Sequence, residues 1–189
     1  MQHFGSWALL LVVGLTSCGR NGERGAQASG EEPESALPPE QAVAACEAAV
    51  EFDGDSVQVG GTVAGVLRLV LPRGWHTYSD PPGDSGMPPS LSMLTGSGGE
   101  LHVGSFEFPP PKTFEDVAGV TYGYEGLVEL PFELALPETL DPGPLALKGT
   151  VQWLICRDIC LPVESAVDAR LEIHPPSDRT EAGVTDSVD

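Results

Sequence analysis

The chain has 189 residues and a formal charge of −19, from 28 acidic and 9 basic side chains. A chain of this length holds one domain with tails rather than two catalytic domains, and its negative field disfavours the phosphate backbone, so no nucleic-acid partner is expected. Hydrophobic residues at 41% supply a core, while 23 glycines and 18 prolines interrupt the chain too often for a bundle of long helices.

The apolar run from Trp7 to Leu15 falls well short of the ~20 residues of a membrane span and reads as the core of an export signal. Leu15-Thr16-Ser17-Cys18 follows it and resembles a bacterial lipobox, in which the cysteine is diacylated after cleavage. Residues 1–17 are therefore expected to be a lipoprotein signal peptide and Cys18 the lipidated mature N-terminus, although Met1 to Ser6 carry no Lys or Arg. Residues 18–50 are expected to be a flexible tether, because Gly, Ala, Ser, Glu and Pro bury too little apolar surface to offset their ordering entropy. An Ala-rich short helix is expected within Glu40 to Val50, and Cys46 has no evident partner there.

Residues 51–174 are the expected folded unit, and residues 175–189 a frayed polar tail. Inside the unit the hydrophobic period is two. Val63, Leu67, Leu69 and Leu71 share one face of Thr62 to Leu71; Val128, Leu130, Phe132 and Leu134 alternate with Glu129 and Glu133; Val167, Ala169, Leu171 and Ile173 alternate with Asp168, Arg170 and Glu172. Further strands are expected at Ser56 to Val59, Leu91 to Leu94, Leu101 to Phe108 and Leu145 to Ile155. Seven or eight short antiparallel strands with Gly/Pro turns predict an all-β, immunoglobulin-like β-sandwich. Trp75 to Pro89 and Phe108 to Tyr124, dense in Pro, Gly and aromatics, are expected to be ordered loops, where sites are usually built.

Cys156-Arg157-Asp158-Ile159-Cys160 is the most informative constellation. A straight strand would hold its two Cα atoms about 13 Å apart, too far for a disulfide, so pairing in an oxidising compartment requires a turn between them. So small a loop removes little unfolded-chain entropy and makes a poor staple, which raises a redox role over a structural clasp. Both readings stay open, as does a metal dithiolate. Arg157 favours a thiolate and Asp158 opposes it. His76, His102, His174, Met87 and Met93 with the cysteines form a soft ligand set for copper or zinc, so a copper-handling module is the alternative, but no ligand spacing such as H-x-x-x-H accompanies them, and no metal site is assigned. Gly83-Asp84-Ser85-Gly86 resembles the nucleophile loop of trypsin-like proteases, yet His76 is too near and no triad order precedes it; turn hydrogen bonds are the simpler expectation for Asp84 and Ser85.

GWHTY at 74–78, PPGDSGMP at 81–88, FPPPK at 108–112, YGYEG at 122–126 and VQWLICRDICLP at 151–162 occur in that order. Together they resemble the N-terminal periplasmic domain of the DsbD thiol:disulfide interchange proteins. The resemblance implies an immunoglobulin-like sandwich whose cysteines, here Cys156 and Cys160, pass two electrons from a thioredoxin-like or membrane-embedded donor to oxidised periplasmic clients, with no cofactor beyond the disulfide. By position, His76 and Tyr78 would flank the pair. The segment Val120, Thr121, Tyr122, Gly123 and Tyr124 would be the cap over it, although family members place a phenylalanine and acidic residues there. The resemblance covers only the N-terminal domain of those proteins, so electrons are expected from a separate protein, with the domain tethered to a membrane by its lipid and facing the periplasm.

Overall fold

A computed structural model describes residues 37–116 and 119–176. One short helix, α1 (Pro39–Ala44), precedes eleven strands: β1 (Glu47–Phe52), β2 (Ser56–Gln58), β3 (Thr62–Val70), β4 (His76–Gly83), β5 (Ser90–Thr95), β6 (Glu100–Val103), β7 (Lys112–Asp116), β8 (Gly119–Glu125), β9 (Leu127–Ala135), β10 (Gly143–Cys156) and β11 (Cys160–His174). One layer runs β1-β3-β9-β6. The other is built on β10, which pairs with β11 along its whole length on one side and with β5, then β4, on the other; β8 and β7 extend it beyond β4. Strand β6 pairs with both β5 and β9 and so joins the layers. Buried residues of both layers form one core cluster, which makes the domain an immunoglobulin-like sandwich.

The period-two segments behave as patterned. In β3 the buried positions are Val63, Gly65, Leu67 and Leu69, and in β9 Val128, Leu130, Phe132 and Leu134, opposed across nine register pairs. Trp75, Trp153 and Tyr78 are the largest fully buried side chains and carry the apolar burial at the β4–β10 end.

Several expectations are corrected. The fold begins before residue 51: α1 buries Ala42, and β1 pairs with β3 from Glu47↔Val70 to Phe52↔Gly65, burying Val50. Ala42, Ala48 and Val50 pack on the core while Ala44, Ala45 and Ala49 stay exposed, so residues 37–50 are part of the fold rather than tether. Cys46 packs against the core and its thiol donates to the Ala42 carbonyl, at 3.3 Å. Trp75 to Pro89 and Phe108 to Tyr124 are largely strand, not loop, because Pro81 and Pro82 fall where the β4–β8 register shifts and no ladder donor is needed. Conversely, the strand expected over Leu101 to Phe108 stops at Val103. Among the described residues the strands number eleven, and one pair, β2 with β11, is parallel. The signal peptide, Cys18, the tether over residues 18–36 and the tail from 177 lie outside the described residues. No helix among the described residues is long and apolar enough to cross a membrane.

Candidate functional site

Strand β10 ends at Cys156 and β11 begins at Cys160, directly opposite it, with Arg157, Asp158 and Ile159 forming the turn. The Cα atoms are 4.2 Å apart and the sulfurs form a disulfide. The turn is held by the Arg157 amide donating to the Ile159 carbonyl at 3.3 Å. The two sulfurs have unlike surroundings: Cys156 is 3% exposed, on the core side of the β10 end, whereas Cys160 is exposed. Of the two sulfur-bearing residues, Cys160 is therefore the one open to solvent.

Strand β4 supplies the flank. His76 is the register partner of Cys156. Two residues on, and so on the same face, Tyr78 places its hydroxyl 3.1 Å from Cys160 Sγ. A disulfide sulfur carries no hydrogen, so here the phenol donates. The Tyr78 ring is buried and lies edge-on to the His76 ring at 5.5 Å. Gly86, at φ +106°, backs directly on the Tyr78 ring, where any Cβ would overlap it. The glycine thus lets the Pro81–Pro88 segment close over Tyr78.

Strands β8 and β7 complete the wall. Tyr78 opposes Gly123, and Thr77 opposes Tyr124, so Thr121 and Gly123 share the His76/Tyr78 face while Val120, Tyr122 and Tyr124 lie on the other. The five residues of the expected cap are thus a strand rather than a loop. The two tyrosines, with Ser79, Pro81 and Pro109 to Pro111, line a cleft of about 430 Å³ on the reverse face. The Tyr124 hydroxyl donates to the Pro109 carbonyl at 2.7 Å, and burial pushes its phenol above the ordinary value. The aromatic that does cover the His76 side is Phe114 of β7, stacked on the imidazole at 4.1 Å and 10°. In the sequence Phe114 is only one more aromatic, because its facing depends on the β7–β8 register, Phe114↔Thr121.

Asp84 bonds across elements rather than within its own turn: its carboxylate accepts the Val120 amide at 2.8 Å, and its own amide donates to the Val120 carbonyl at 2.8 Å. It ties the end of β4 to the β7–β8 hairpin. Arg157 and Asp158, read from sequence as opposing influences on a thiolate, form an ion pair at 2.7 Å that largely cancels them. The Arg157 guanidinium sits over the Trp75 ring at 5.0 Å. Among the described residues no group of three His, Cys, Asp or Glu is placed to hold a metal ion. His76 stands beside the cysteines, but His102 is on β6, His174 ends β11, and Met93 is buried in the core.

The family model for "Thiol:disulfide interchange protein DsbD, N-terminal" matches residues 36–172. The chain belongs to the DsbD N-terminal domain family. The match begins where the described fold begins, ends within β11 and so includes the Cys156–Cys160 disulfide. Among solved structures, the chain is similar to the N-terminal periplasmic domain of ScsB from Proteus mirabilis, at 22% identity and a TM-score of 0.49, over 65% of this chain and 43% of that one. It is also similar to the DsbD N-terminal domain of Neisseria meningitidis in the reduced form, at 18% identity and a TM-score of 0.38, over 72% of this chain and 90% of that one. The chain thus spans less than half of the ScsB chain. No curated protein matches it.

Proposed function

We propose that this DsbD N-terminal domain is an exported, lipid-anchored electron carrier, reduced by a thioredoxin-like or membrane-embedded donor and oxidised by disulfide-bonded periplasmic clients. Cys18 carries the lipid, and the segment before residue 37 gives the domain reach from the membrane. The observation that carries the reading is the asymmetry of the pair: one sulfur exposed beside a tyrosine hydroxyl, the other buried.

In the reductive half, a donor thiolate attacks Cys160 Sγ. The donor–Cys160 bond forms, the Cys156–Cys160 bond breaks, and Cys156 leaves as a thiolate that takes up a proton. The donor's second thiolate then attacks its own sulfur in the mixed disulfide, so the donor departs oxidised and Cys160 is released as a thiolate. In the oxidative half, Cys160 attacks a client disulfide. Cys156, deprotonated, attacks Cys160 to restore the ring and expel the reduced client. Two electrons move in each half and no cofactor is required. Tyr78 donates to whichever charge Cys160 Sγ develops, and His76 and Phe114 exclude water from its buried partner.

The test is mixed-disulfide capture. Cys156→Ala leaves Cys160 able to attack with nothing in this chain to resolve the product, so covalent adducts should accumulate with a thioredoxin-like protein whose own resolving cysteine is replaced and whose remaining cysteine carries an aromatic disulfide, the aromatic thiol being the group that leaves. Cys160→Ala, tested like its counterpart in a Cys46→Ala background, leaves only the buried sulfur of the pair and should capture little. Equal capture by both variants, or none by either, contradicts the reading.

A further inference from the structure

The residue that follows the first cysteine of the pair holds the entrance of the chain into the fold. The Leu37 carbonyl accepts two hydrogen bonds, from Trp75 Nε1 at 3.2 Å and from Arg157 Nη1 at 3.4 Å. Both donors belong to the cysteine end of the sandwich. Trp75 is 1% exposed and immediately precedes His76, the partner of Cys156; Arg157 follows Cys156 within the disulfide ring. The guanidinium is fixed from three sides, by the Trp75 ring at 5.0 Å, by Asp158 at 2.7 Å and by the Leu37 carbonyl.

We infer that this arrangement is a redox-sensitive clasp on the N-terminal segment, closed in the disulfide form and loosened in the dithiol form. It rests on the reading of Cys156–Cys160 as a pair that opens. In the oxidised form the covalent ring fixes the Arg157 backbone against β4. Once the sulfurs take up two electrons and two protons, the turn keeps the Cys156↔Cys160 ladder pairing and the Arg157–Ile159 backbone bond at 3.3 Å but loses its covalent closure, and its three residues regain conformational freedom. The contact to give way is the longer, Arg157 to Leu37; Trp75 alone then holds the carbonyl. The segment before α1 is where the chain joins whatever precedes it, so the oxidation state is passed to that segment without any partner bound. Linkage makes the coupling reciprocal: a docked Leu37 favours the disulfide by the same factor by which the disulfide favours docking.

The readout is the hydrogen-exchange rate of the Trp75 indole N–H, followed by NMR on the full chain in its disulfide form and after reduction by a water-soluble phosphine, which supplies the electrons and becomes its oxide. Reduction should speed that exchange about fivefold, the scale of one ordinary hydrogen bond. Arg157→Gln should show the faster rate already in the disulfide form, with little further change on reduction. Equal rates in the two forms of the native chain overturn the inference, and so does an undiminished redox response in Arg157→Gln. The native comparison decides even where the variant folds poorly. A pair that the phosphine opens but no thioredoxin-like protein does would sink the exchange reading and leave the clasp standing.

Discussion

Replacing Tyr78 with Phe isolates one oxygen. The ring is fully buried, backed by Gly86 and edge-on to His76 at 5.5 Å, so phenylalanine keeps the packing and loses only the donor 3.1 Å from Cys160 Sγ. A hydrogen bond to a charged group contributes ~1.5–3 kcal/mol. Sulfur is a soft, weak acceptor, so the lower end applies, which moves the pH at which Cys160 becomes half thiolate upward by about one unit in Tyr78→Phe. Thiolate nucleophilicity rises with basicity at a Brønsted slope of ~0.5. Where both proteins are mostly thiol, the tenfold smaller thiolate fraction therefore outweighs the gain, and the variant reacts about threefold more slowly. Where both are mostly thiolate, it reacts about threefold faster. The assay is stopped-flow reaction of the reduced, lipidated chain with a small aromatic disulfide across a pH series, in a Cys46→Ala background, so that Cys156 and Cys160 are the thiols left to react. Crossing profiles are expected. Superimposable profiles, or a variant slower at every pH, would refute the role given to the hydroxyl.

Gly86→Ala places a methyl on the Tyr78 ring at φ +106°, so it should cost about 1–3 kcal/mol from backbone strain alone, and more from the overlap. Gly98→Ala, at φ +92° with open space around it, should cost only the strain; urea melts compare the two, and Gly86→Ala should also reproduce the Tyr78→Phe pH shift. Burial pushes the Cys46 thiol up from 9.0 to about 11. With the folded value above the unfolded one, the folded state holds its proton longer, so this stabilisation is complete below about pH 9 and declines as pH rises towards 11. Cys46→Ala should flatten that part of the alkaline loss in pH-dependent melts, leaving the share due to Tyr124, whose phenol is raised too. Starting the chain at residue 51 removes α1 and the first four of the six residues of β1 and uncovers the core that Ala42 and Val50 cover. Such a truncation should lose at least ~3 kcal/mol from exposed apolar surface, whereas a chain starting at residue 37 should melt like the full one.

What is legible in the sequence follows from how locally each feature is encoded. Strands β3, β9 and β11 carry long apolar residues at a strict period of two, and a half-buried strand needs nothing more. The turn at Arg157–Ile159 is legible too, because the reach of a disulfide forbids a straight path between Cys156 and Cys160. Strand β1 and the docking of α1 are not, since Ala42 and Ala48 become core or core-facing only by packing on the sandwich, whose strand β3 lies some twenty residues downstream. Strands β4, β7 and β8 are hidden by their prolines and glycines, which here mark a register shift and close backbone approaches between strands rather than loops. Within the site, Cys156, Cys160, His76 and Tyr78 follow from motif resemblance and fall together. Phe114, the Asp84 clamp and the Trp75–Arg157 hold on Leu37 escape sequence reasoning, because each depends on which residues the sheet register sets opposite one another.

The most direct test of the account is the reduction potential of the Cys156–Cys160 pair, measured by equilibration against glutathione or thioredoxin. A carrier that exchanges electrons with thioredoxin-like partners should lie above about −300 mV, within their range. A value well below that marks a bond those partners cannot open, and it would contradict the central claim.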